Sequence, residues 1–266
     1  MSIQISQLRI YPVKSLAVLE AQKWTIDQRG LEGDRRWMVV DPQGLFITQR
    51  DTPSMAKCQP ARNGNDWTLH SPGLPNFLLP IPQTNQKIKV RVWSDEEIFA
   101  EPCGAEADAW ISCALGVPAC LVYLPDTTHR PVDPPYGEEG DITSFTDNHP
   151  ILVAGEESLA DLNQRLEVPV PIQRFRPNIV IKGAQPFAED NWKRIQIGPV
   201  ILRATMPCAR CNFTTLDHET GVTTGSEPLR TLATYRRIAT NVMFGMYYLP
   251  EVEGQIALGD EVRVLA

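Results

Sequence analysis

The chain has 266 residues and a formal net charge of −7, with no lysine or arginine block, which argues against a nucleic-acid surface. Its length can bury one large core or two smaller ones, and no apolar run approaches the ~18 residues that a membrane helix needs. The first ten residues alternate too much and are too polar for a signal peptide. A cytoplasmic, soluble chain without a membrane partner is therefore expected.

Residues 1–122 read as β-rich. Ile3, Ile5, Leu8 and Ile10 mark a strand that slips phase near Ser6, as at a bulge. Tyr11-Pro-Val-Lys-Ser15 follows as a loop, because Pro12 biases Tyr11 towards an extended shape. Trp24–Asp27 reads as a second strand. Arg36–Val40 and Leu45–Thr48 flank Asp41-Pro-Gln-Gly44, which is good turn chemistry for a hairpin. Lys87–Trp93 and Glu97–Glu101 form another around Ser94-Asp95-Glu96. Glu106–Leu115 is a helix that stops at Gly116, and Leu121–Leu124 is a short strand.

Residues 125–148 change character. Pro125, Pro131, Pro134 and Pro135, with Gly137 and Gly140, describe an irregular connection that is either a linker or a functional lid. Beyond it, Ile151–Ala154 is a strand and Ser158–Leu166 a helix with Leu159, Leu162 and Leu166 on one face. Asn178–Ile181 and Ile195–Ala204 are strands. Glu227–Arg237 is a helix that Ser226 can cap, with Pro228 in its first turn. Val242–Leu249 and Ile256–Leu265 are terminal strands. Many short strands and about three helices predict a mainly β, barrel-like architecture rather than a doubly wound sheet.

The chemistry concentrates in Met206–Gly221. Cys208 and Cys211 stand three apart with Arg210 beside the second, and a neighbouring cation favours the thiolate, a soft metal ligand and a good nucleophile. The plainer alternative is a pair of structural thiols, since one Cys-x-x-Cys is only half a zinc site. The other cysteines, Cys58, Cys103, Cys113 and Cys120, are scattered and are expected as small buried residues rather than disulfides. The four histidines match no metal motif. Lys14 and Ser15, Asp34-Arg35-Arg36, Arg176-Pro-Asn178 and Glu189-Asp190-Asn-Trp192 all fall at strand ends, where scaffolds mount sites. Their lysine and arginine forks suit an oxyanion, although each alone also reads as a solvated charge.

Together these segments resemble the molybdenum cofactor sulfurase C-terminal (MOSC) superfamily, in the branch of the amidoxime-reducing components. The resemblance rests on Tyr11–Ser15, Gly33–Trp37, Phe46–Arg50, Ser158–Asn163, Phe175–Val180, Glu189–Trp192, and Cys208–Cys211 with Thr220-Gly221, in the family's order along nearly the whole chain. It implies an N-terminal β-barrel-like domain over 1–122, a MOSC β-barrel domain over 123–266, and a molybdenum-molybdopterin cofactor between them. It also implies Cys211 as the metal ligand. Lys14, Ser15, Arg35, Arg176 and Asn178 would contact the cofactor, with Asp147, Asn148 and His149 adding polar contacts. Two departures stand out. Lys182-Gly-Ala184 stands where some members carry a cysteine, and His149 replaces a small hydroxyl residue.

The implied activity is reduction of N-hydroxylated compounds such as amidoximes and hydroxylamines. Asp190 or Asp217 would relay protons. Electrons would come from a separate electron-transfer protein, since no ferredoxin-type cysteine spacing is present. Two other readings use the same motifs: a non-catalytic carrier of the cofactor or of sulfur, and a structural zinc or thiol domain.

Overall fold

The computed structural model describes residues 2–93 and 96–266. The protein is mainly β, with α-helices at Ala105–Leu115, Glu156–Asn163 and Leu229–Leu232 among the described residues. One long sheet organises it. Its strands run in the order Leu19–Ala21, Gln4–Ile10, Ile179–Lys182, Ile151–Gly155, Asn241–Val252, Val200–Arg210, Arg194–Ile197, Val262–Val264. Gln4–Ile10 pairs antiparallel with Ile179–Lys182, and its register shifts between Ile5 and Gln7, the bulge expected at Ser6. Ile5, Leu8 and Ile10 are fully buried, so hydrophobic burial fixes that register. Strand exchange also runs the other way, because Gly254–Ala257 pairs with Lys23–Asp27.

A second sheet has the order Trp37–Val40, Cys120–Tyr123, Glu96–Pro102, Ile88–Val92. In the main hydrophobic core, Trp67 packs edge-on to Trp24 and tilted to Trp37, with ring centroids 5.9 and 5.7 Å away. Gly33, at φ +78°, makes the turn that follows possible. A Cβ there would stand 2.3 Å from the Trp67 ring.

Several expectations are corrected. Ile195–Ala204 is not one run: Gly198, at φ +55°, turns the chain between Arg194–Ile197 and Val200–Arg210, which pair as a hairpin. Ile256–Leu265 likewise divides at Gly259-Asp260, and its halves join different sheets. Leu45–Thr48 makes only bridge contacts, Phe46 with Val40 and Leu45 with Arg91. The helix expected over Glu227–Arg237 is confined to Leu229–Leu232. There Thr234 Oγ1 donates to the Thr231 carbonyl at 2.7 Å, and Arg237–Ile238 turns back to pair with Asn241 and Val242. No Ser226 side-chain cap forms. The helix expected over Ser158–Leu166 runs from Glu156 to Asn163, ending where the Asn163 side chain brackets the Val170 peptide.

The sequence does not foreshadow the sheet of Gln59–Asn63, Asp66–His70 and Phe77–Leu78, because its first strand is polar and carries Pro60, which an edge strand tolerates. The hairpin over Ile88–Val92 and Glu96–Pro102 forms as expected, but its turn residues Ser94 and Asp95 lie outside the described residues.

Candidate functional site

A cleft of about 330 Å³ opens where both halves of the chain meet. Lys14, Ser15 and Arg35 reach it from the first half, and Arg176, Asn178 and Cys211 from the second. Asp147, Asn148 and His149, at the end of the irregular connection, complete the set that the sequence singles out. Cys208 and Arg210 of the Met206–Gly221 stretch line it too, and Phe46, Arg50, Trp93, Phe175, Phe213 and Tyr247 lie beyond that set. The Phe46–Arg50 match is the available signal for Arg50; nothing local marks Tyr247 or Trp93.

The clamp is built on Tyr11 and Asp34. The Tyr11 amide donates to Asp34 Oδ1 at 2.7 Å, and the other Asp34 oxygen accepts from Arg35 Nη1. The Tyr11 ring then carries two guanidinium groups, Arg35 at 4.3 Å and Arg176 at 4.0 Å from its centroid. Arg176 Nη1 donates to the Leu16 carbonyl at 2.8 Å. Asn178 Oδ1 accepts from Arg35 Nη1 at 3.2 Å and from the Leu152 amide at 3.1 Å, which ties the two halves together. Burial, together with the neighbouring Arg35, lowers the Arg176 pKa to about 10. Ser15, Arg35, Trp93 and Arg176 all hold left-handed backbone, φ +65°, +50°, +62° and +52°. Such non-glycine strain persists where surroundings over-determine it, as at ligand clamps.

Lys14 Nζ donates to the Phe145 carbonyl at 2.9 Å and to Asp147 Oδ1 at 2.5 Å. Desolvation lowers the lysine's pKa, against the pull of Asp147. For Asp147, desolvation acts upward, but Lys14 with Arg50 and Arg35 holds the carboxyl down at about 2. Trp93 Nε1 donates to the same carboxylate oxygen at 3.2 Å. Among the described residues Asp147 is the one carboxylate that lines the cleft, with Lys14, Arg35, Arg50, Arg176 and Arg210 as its cations. In a chain of net charge −7, this is a concentrated cationic field suited to an anion.

Cys208 sits in an irregular stretch of strand, and Cys211 lies just past that strand's end. Pairing of Val200–Arg210 with Asn241–Val252 slips on both sides of Pro207, which has no N–H for the ladder. Cys208 turns inward and is buried, whereas Cys211, at the N-cap of the Asn212–Thr215 3₁₀ turn, is exposed. The cation beside Cys211 is not its sequence neighbour. Arg210 Nη1 donates to Cys208 Sγ at 2.7 Å and Nη2 to the Phe175 carbonyl at 2.7 Å. Arg50 Nη2 instead donates to Cys211 Sγ at 2.9 Å, while its Nε holds Asn212 Oδ1 at 2.9 Å. The expectation that Arg210 activates Cys211 is therefore corrected: strand geometry gives Arg210 to Cys208 and brings Arg50 from 161 residues away. The stretch is anchored further on by Gly221, at φ +70°, where a Cβ would stand 2.5 Å from the Pro53 carbonyl.

His149 is 6% exposed, with Nδ1 2.5 Å from Thr205 Oγ1 and its ring 5.6 Å from that of Tyr247. Burial lowers its pKa to about 4. Asp190 does not line the cleft, and its carboxylate is paired with Arg236. Asp217 is also elsewhere, its Oδ1 accepting from the Glu219 and Thr220 amides within its own turn. Two matched motifs are architectural. Fully buried Glu189 accepts from the Ser158 hydroxyl at 2.8 Å and the Gly155 amide at 3.1 Å, locking the Glu156–Asn163 helix to the sheet.

Comparisons with known proteins agree with this arrangement. The MOSC N-terminal beta barrel domain model matches residues 2–118, and the MOSC domain model matches residues 141–263. Mitochondrial amidoxime-reducing component 1 of Homo sapiens is 36% identical, covering 98% of this chain and 82% of that protein. Its Xenopus laevis counterpart is 34% identical, covering 97% of this chain and 81% of the relative. The molybdenum cofactor sulfurase of Oryza sativa subsp. japonica is 30% identical over 92% of this chain but only 32% of its own length. No helix among the described residues is long and apolar enough to cross a membrane. The chain belongs to the MOSC-domain family that contains the amidoxime-reducing components.

Proposed function

We propose that the chain is a molybdenum cofactor-dependent oxidoreductase that reduces amidoximes and hydroxylamines. The balanced reaction is R–NH–OH + 2e⁻ + 2H⁺ → R–NH₂ + H₂O, with electrons from a separate protein. The observation that carries the reading is the single exposed thiol of the cleft, Cys211, set among cations beside Arg50. Among the described residues no three His, Cys, Asp or Glu converge as a protein-only metal site would require. One thiolate plus an anion clamp instead fits a metal whose remaining sulfur donors arrive with a phosphorylated ligand. When bound, molybdenum-molybdopterin would supply the two-electron and oxygen-transfer chemistry.

The chain's own residues bind and orient. Cys211 is the metal ligand. Lys14, Ser15, Arg35 and Arg176 are the oxyanion clamp, preorganised on Tyr11 and Asp34. Asp147, Asn148, His149 and Asn178 face the rest of the cofactor, and Trp93 and Phe213 hold the Arg50 guanidinium between their rings. Asp190 leaves the catalytic set, because Arg236 occupies its carboxylate away from the cleft. The relatives are named for mitochondria; a cytoplasmic setting remains part of this proposal and is read by fractionation.

The test is protein made in a cofactor-competent host, assayed for metal content and for conversion of benzamidoxime to benzamidine. Turnover with a reduced viologen and none with NADH alone is expected. Activity with NADH alone would remove the need for a partner. Full molybdenum loading with no turnover from any donor would favour a carrier instead, and zinc alone would end the cofactor reading.

A further inference from the structure

Behind the clamp lies a second pocket of about 470 Å³ that none of the roles above uses. Arg176 and Phe213 line both spaces and form a shared wall, and Tyr11, which lines the second, carries the Arg176 guanidinium on its ring. Arg9, Lys57 and Arg174 also line the second pocket.

Arg174 is the unusual group. It is 9% exposed, and its Nη1 reaches only the Thr224 hydroxyl at 3.0 Å and the Thr215 carbonyl at 3.4 Å. Its Nε has no hydrogen-bond partner, and it forms no ion pair with a described residue. Asp217 attracts it without closing on it, and burial outweighs that attraction. A buried guanidinium without a counter-ion is costly unless something supplies the anion. Arg9, fully buried, also keeps Nε and Nη2 unpartnered, although its Nη1 is taken by Glu20 and Gln7. The acids at this pocket are Glu20 and Glu219, whose side chains are 63% and 80% exposed. Ala17, Val18, Leu216 and the Phe213 ring supply an apolar surface beside the cations. Guanidinium forks next to an apolar wall suit an oxyanion carried on a flat hydrocarbon body.

We propose that this second pocket binds a small organic anion, a carboxylate or a phosphate monoester on an apolar body, with Arg174 as its principal oxyanion ligand. The site is separate from the Cys211 cleft and independent of the cofactor. A bound anion there would rest against the Arg176–Phe213 wall that the second pocket shares with the cleft.

Calorimetric titration of the full chain with benzoate and, separately, with phenyl phosphate tests this. Saturable binding of at least one probe is expected, and comparing the two identifies the oxyanion. Arg174→Gln should weaken that binding at least tenfold without changing the melting temperature by more than a few degrees, and Arg174→Lys should recover part of it. Lys14→Gln, in the other cleft, should leave it unchanged. Val18→Trp, which fills the second pocket from its half-buried rim, gives an independent readout if the arginine variants fold poorly, and it too should abolish binding. No binding of either probe to the wild-type chain, or equal loss on Lys14→Gln, would overturn the assignment.

Discussion

The two sides of the cleft mouth differ more than their sequence spacing implies. On the closed side, Cys208 is buried with Arg210 on its sulfur, next to Tyr247 and His149. On the open side, three residues later, Cys211 is exposed, with Arg50 on its sulfur and the exposed Trp93 and Asp147 also lining the cleft. Both thiols have a cation, so charge alone does not distinguish them. Exposure does, because a ligand can reach only one of the sulfurs. Proximity in sequence is a poor guide to which charge serves which thiol on a strand, where neighbouring side chains point to opposite faces.

The largest expected effect tests that asymmetry directly. Cys211→Ser should abolish turnover and strip most of the molybdenum, whereas Cys208→Ser should keep most of both. Metal analysis beside the amidoxime assay reads this, and the reverse pattern would exchange the roles of the two cysteines.

The second test sharpens the open side. A charge-assisted hydrogen bond is worth about 1.5–3 kcal/mol net, so Lys14→Gln, Arg35→Gln or Arg176→Gln should each weaken cofactor retention roughly ten- to hundredfold. The off-rate of the cofactor during dialysis would show it. Retention within twofold of wild type in all three variants would remove the clamp.

The third concerns the closed side. The folded protein keeps His149 neutral, with its pKa lowered to about 4 chiefly by burial. Between the unfolded value of about 6.5 and that folded value, only the unfolded chain takes up the proton. Stability from this group is therefore complete above about pH 6.5 and falls as pH drops towards 4, by up to about 3 kcal/mol. Urea midpoints at pH 7.5 and 4.5 should differ more in wild type than in His149→Gln. Equal pH dependence in the two proteins would show that His149 titrates normally.

The smallest effect marks where the site ends. Asp190→Asn should change amidoxime turnover by less than about twofold, while loosening the partly buried pair with Arg236 by about 1 kcal/mol. A hundredfold loss of turnover with normal cofactor loading would restore Asp190 to the chemistry.

The sequence by itself determined the β-rich class, the Ser6 bulge and the Glu106–Leu115 helix with its Gly116 stop. Those follow from short-range rules: residue alternation, glycine at a left-handed cap, and prolines that break ladders. Lys14, Arg35, Arg176 and Cys211 were legible because each sits at a strand boundary inside a matched motif. Three things needed the tertiary structure. Gln4–Ile10 pairs with a strand some 170 residues away, and no local pattern encodes a partner at that distance. Asp190 and Glu189 are adjacent in a matched segment, yet one pairs with Arg236 and the other is buried under Ser158. Arg50, not Arg210, reaches the Cys211 sulfur: Cys208 and Arg210, two apart on one strand, share a face, Cys211 follows past the strand's end, and only the folded chain fixes which cation stands beside it.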